Sequence, residues 1–123
     1  MRTPEQDDEM LHAAHASRHH WGQVGDAKNA AIGEWQCSRV YAVLGRAQPA
    51  LHHARRSLEI AEREELEDWV VASASEAVAR AYAVAGDRAA AAEWRARTAE
   101  LVAAIRDPDD RLTIERDLAT LPM

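Results

Sequence analysis

Four of the chain's six histidines, the side chains best suited to hold a metal or move a proton, cluster near one end: His12, His15, His19 and His20. On a helix turning about 100° per residue, His12, His15 and His19 fall on one stripe ~60° wide. Histidines on facing helices, generally joined by carboxylates, are a common metal arrangement inside bundles. Here His52, His53 and Glu34 could face the stripe, giving an open site formed by His15 and His19 with His53 or Glu34. The chain has no HExxH and no Cys–His zinc spacing. A closed tetrahedral site needs about four converging ligands, more than one helix offers, so neither a structural metal nor a resident cofactor is expected.

Other chemistry finds little support. Cys37 lies between Gln36 and Ser38 with no base beside it in sequence, and reads as a small buried hydrophobe. There is no Gly-x-Ser-x-Gly elbow, P-loop or GxGxxG. A non-enzymatic role is therefore expected. Trp21, Trp35, Trp69 and Trp94 either fill a core or line a binding groove, since indoles serve both ends.

The elements that would position these residues are helices. The chain has 123 residues, 47% of them hydrophobic, with only five glycines and four prolines. That suits one domain over residues 1–123 and needs no metal or disulfide to fold. The net charge of −6 argues against general affinity for nucleic acid or anionic membrane. No apolar run reaches the ~18 residues of a membrane span. One cysteine and an acidic start, Met1 to Met10, point to the cytoplasm.

Caps and breakers divide the chain into six helices. Thr3-Pro4-Glu5-Gln6 opens the first, which ends at Gly25. Asp26 caps a second that stops at Gly45. Pro49 marks the start of a third, to about Arg63. The acidic stretch Glu64 to Asp68 suits a loop and the first turn of a fourth, which Gly86 ends. Asp87 starts a fifth, to about Arg106, and Asp107-Pro108 a sixth, to about Thr120. Connections this short make sequential helices antiparallel.

Sliding the sequence along itself until Arg39 meets Arg80 aligns Arg39-Val40-Tyr41-Ala42-Val43-Leu44-Gly45 with Arg80-Ala81-Tyr82-Ala83-Val84-Ala85-Gly86. In the same register Ala50 falls on Ala91, and Ser57 on Thr98. The pattern describes a helical hairpin. A tyrosine packs near the end of the first helix, a glycine permits the turn, and small residues let the second helix lie close.

Ser38, Tyr41, Gly45, Ala50 and Ser57, echoed by Ala79, Tyr82, Gly86, Ala91 and Thr98, resemble the tetratricopeptide repeat. The resemblance covers residues 32–105. It departs from the family in its longer period, in Glu34 and Ser75 at the early tryptophan position, and in lacking the closing proline. It implies an all-α tetratricopeptide-like array of about six antiparallel helices, counting the flanking ones. It also implies a module that binds a protein or peptide or associates with itself. The second and fourth helices would face the partner, offering Glu34, Arg39, Ser73, Glu76 and Arg80. Two repeats are few for an array, and the apolar series Leu112, Ile114, Leu118 and Leu121 could cover an end by forming a homodimer. The alternative reading is a metal- or small-molecule-binding bundle centred on the histidines.

Overall fold

A computed structural model describes the backbone of residues 2–24 and 26–122, and the side chains of all of these except 20–24. Trp21 and His20 thus lie outside the described side chains. The described chain is all-α, with six helices: α1 (Pro4–Val24), α2 (Ala27–Val43), α3 (Ala47–Arg63), α4 (Asp68–Ala85), α5 (Arg88–Ala103) and α6 (Pro108–Ala119). None of them is long and apolar enough to cross a membrane.

The ends form where the local chemistry places them. At the start of α1 the Gln6 N–H donates to Thr3 Oγ1 at 3.1 Å while Thr3 N–H donates to Gln6 Oε1 at 2.9 Å, a reciprocal capping box. Asp26, Asp87 and Asp107 cap α2, α5 and α6 by accepting from backbone N–H groups. The turns after α2 and α4 match bond for bond. Gly45 N–H reaches Ala42 O and Arg46 N–H reaches Tyr41 O; in the later turn Gly86 reaches Ala83 and Asp87 reaches Tyr82. Both glycines are left-handed, at φ 73° and 80°.

Two boundaries differ from the sequence expectation. Helix α3 begins at Ala47, so Pro49 sits inside its first turn, where a missing N–H costs nothing because those groups have no helical partner anyway. Helix α5 ends at Ala103. Ile105 is drawn into the core at 1% exposure, which pulls the chain out of the helix early.

Connections of two to four residues make each helix fold back on its neighbour. Every helix packs on the next in sequence, and α2, α4 and α6 also pack on one another in that order. The inner row is therefore α2–α4–α6, with α1, α3 and α5 set on its outer side.

Alanine makes this close stacking possible. Ala31, Ala50, Ala54, Ala61, Ala72, Ala79 and Ala91 are fully buried. One core cluster joins α3 to α4 through Ala54, Leu58, Ala74, Ala77 and Val78. Another joins α4, α5 and α6 through Ala72, Val102, Ile105 and Ile114. The helices also share buried hydroxyls. Ser38 donates to Ala50 O at 2.8 Å, Ser57 to Ala31 O at 2.7 Å, and Ser75 meets Thr98 at 2.8 Å. Tyr41 and Tyr82, at equivalent places beside the two turns, are half-buried with their hydroxyls bonded to His15 and Arg55.

Candidate functional site

The inner row leaves one cleft between α2, α4 and α6, with a volume of about 290 Å³. Ala31, Ile32 and Trp35 line it from α2, Trp69, Val70 and Ser73 from α4, and Thr113 and Ile114 from α6. Asp110 and Asp117 stand on its α6 wall. The lining is mostly apolar, with a few polar groups, as in small binding sites generally.

Trp35 holds the α2 wall, and it also lines a groove between α1 and α2 with Met10, Ser17 and Arg39. Its indole N–H is buried and meets no acceptor among the described residues. That is an unusual state for a buried donor, because leaving it unmade costs roughly 1–3 kcal/mol. By contrast Trp69 donates to Glu67 Oε2 at 2.9 Å, and Lys28 Nζ lies 5.1 Å from the Trp69 ring centroid. Trp94 is not part of the cleft; it packs on the α3–α4 core.

One end of the cleft is acidic. Asp68 begins α4, and Asp107, Asp109 and Asp110 surround the start of α6. Among the described residues none of these four carboxylates forms a side-chain ion pair, whereas Glu67 pairs with Lys28 at 2.9 Å. Partial burial raises the Asp110 carboxyl above the usual range, and Asp107, Asp68, Asp109 and Glu67 push it the same way. The negative field is thus felt within the cleft wall itself.

The opposite end is closed by an ion cluster. Arg39 Nη1 reaches Glu76 Oε2 at 3.4 Å and its Nη2 reaches Asp117 Oδ1 at 3.2 Å. Arg80 grips Glu76 Oε1 at 2.7 Å and donates to the Asp117 carbonyl at 2.8 Å and Thr120 Oγ1 at 2.8 Å. Burial raises the Glu76 carboxyl despite both arginines. Of the five contact residues read from the sequence, Arg39, Glu76 and Arg80 are therefore brought together, and their side chains hold the C-terminal end of α6. Ser73 is the one that faces the cleft.

Glu34 belongs to a separate cluster under α1. It accepts from Arg18 Nε at 3.0 Å and from His53 Nδ1 at 2.6 Å. Burial would raise this carboxyl, but the two hydrogen bonds outweigh it and hold it below the usual range. His15 shares a 2.9 Å hydrogen bond with Tyr41, and its ring lies 5.4 Å from that of His53. The structure thus brings His15 and His53 together beside Glu34, while His19, read from the sequence as their companion, is not part of this cluster; His12, His15 and His19 are all exposed on α1. Among the described residues no group of three or more His, Cys, Asp or Glu side chains is placed to hold a metal ion. Cys37 is fully buried below this cluster, and burial pushes its thiol up to about 11.

The sequence reading missed Asp110, Thr113 and Asp117. The signal for Asp117 was present, because it lies as far beyond Glu76 as Arg80 lies beyond Arg39. No family model, curated protein or solved structure matches this chain.

Proposed function

We propose that this chain is a non-enzymatic, tetratricopeptide-like module that binds a protein or peptide segment through the cleft of its inner helices. The carrying observation is an open cleft of mostly apolar lining, with the side chains of Trp35, Trp69, Ser73 and Thr113 among those that form it. An apolar side chain suits this lining, and the Ser73 and Thr113 hydroxyls suit the main-chain groups that would flank it. The matching turns at Gly45 and Gly86 and the ordered packing of α2, α4 and α6 support the array reading. A non-enzymatic role fits Cys37, whose raised, buried thiol makes a poor nucleophile.

The test is selection of a randomised peptide library on the native protein, with Ser73→Phe and Thr113→Phe as counter-targets that fill the cleft from opposite walls. Both variants should melt within a few degrees of the native protein. Peptides that bind the native chain and fail on both variants are expected. Selection yielding no cleft-dependent peptide would reject the reading. The same module could associate with itself. Light scattering at micromolar concentration is expected to report a dimer, and a mass of 13.6 kDa alone would remove that part.

A further inference from the structure

We infer that the occupant of the cleft is a basic segment, in which an apolar side chain sits next to arginine or lysine. This rests on the peptide-binding reading and makes it specific. Charge complementarity selects this occupant. At the end where α4 and α6 begin, Asp68, Asp107, Asp109 and Asp110 gather with no side-chain cation paired to them among the described residues. Two of them have local backbone roles: Asp107 caps α6, and Asp68 accepts the Arg106 N–H at 3.2 Å. Among the described residues the Asp109 and Asp110 carboxylates have no such duty as acceptors, and Asp110 lies on the cleft wall itself.

The geometry selects a segment of chain over a compact molecule. The cleft, at about 290 Å³, accommodates roughly one large side chain. Trp35 also lines the groove between α1 and α2, so the two depressions adjoin at that side chain. An apolar anchor would fill the space between Ile32, Trp69 and Ile114. A flanking cation would reach Asp110 and Asp109. Arg39 and Arg80 at the far end are already engaged with Glu76 and Asp117, so a cation has only one favourable direction in which to lie.

The experiment uses the same peptide selection, read for composition, then follows one selected peptide by tryptophan fluorescence. Cleft-dependent peptides should be enriched in arginine or lysine within two positions of an aromatic or aliphatic residue. Affinity for the double variant Asp109→Asn, Asp110→Asn should fall at least tenfold at 50 mM salt. That difference should shrink to under threefold at 500 mM, because exposed charges are screened. A melting curve and far-ultraviolet spectrum of the double variant establish that it is folded. Cleft-dependent peptides without basic residues, or equal affinity of the double variant, would overturn the inference while leaving peptide binding intact. Selection with no cleft dependence would overturn both.

Discussion

Glu34 and Glu76 are both buried and each accepts hydrogen bonds from two basic side chains, yet their carboxyls move in opposite directions. Glu34 lies under α1, where His53 and Arg18 outweigh the loss of water. Glu76 is deeper, and burial wins over Arg80 and Arg39. The consequences for stability have opposite signs. A carboxyl lowered on folding adds stability above the unfolded value of 4.5, and this is lost as pH falls through the folded value. A carboxyl raised on folding does the reverse: stability falls as pH rises from 4.5 through the folded value. Urea unfolding of Glu34→Gln and Glu76→Gln from pH 3 to 7 checks both. The native chain should gain on Glu34→Gln as pH rises toward 4.5, reaching about 1–3 kcal/mol, the worth of hydrogen bonds to a charged group. It should lose ground to Glu76→Gln as pH rises above 4.5. Cys37 gives a further residue-scale expectation. Fully buried, with its thiol pushed up to about 11 and donating to the Ala14 carbonyl, it should resist alkylation at pH 8 in the native protein. Mass spectrometry should show complete modification only after denaturation.

At the scale of elements, three glycines mark different constraints. Gly45 and Gly86 turn the chain in left-handed conformations with open space around them. Alanine at either is expected to cost about 1–2 kcal/mol, all of it backbone strain. Gly33 is different, because a side chain there would meet Arg18 Cδ at 2.7 Å and Arg18 Cα at 3.3 Å, where α1 crosses α2. Gly33→Ala should cost about 1–3 kcal/mol through overpacking. It should also disturb the Arg18–Glu34 pair and speed hydrogen exchange in α1, while the two turn variants leave α1 unchanged. Glycines and caps are also why the helices could be read so closely from the sequence. Thr3, Asp26, Asp87 and Asp107 act through bonds to residues two or three positions away, so their effect is written locally. The helix end at Ala103 and the start at Ala47 were less readable, because burial of Ile105 and the tolerance for Pro49 depend on packing and helix phase. The cleft was still less so. Ser73 could be assigned to an inner face from the repeat, but Arg39, Glu76 and Arg80 are claimed by α6, whose return across α4 is a long-range event. His15 and His53 come together because α1 and α3 both pack on α2, whereas His19 lies one turn further along α1 and falls outside the cluster.

Across the whole molecule, the joint between neighbouring inner helices recurs. Arg39 of α2 reaches Glu76 of α4, and Arg80 of α4 reaches the backbone of Asp117 in α6, each across 37 positions. The starts of α2 and α4 are separated by the same length of chain as the starts of α3 and α5. A joint that repeats in this way is a mating surface with the same fitting on both sides, so the molecule should accept growth by whole units. Setting a second copy of residues 67–107 directly after Asp107 places the new Glu76 where Asp117 now meets Arg80. It also gives the new Arg80 the original α6 to close on. Since stability in stacked units is roughly a sum of units and interfaces, the lengthened chain should keep its helicity per residue and melt higher than the parent. Its scattering profile should lengthen along one axis. A drop in helicity per residue would mean that the two joints, one closed on a carboxylate and the other on a main-chain carbonyl, are not interchangeable.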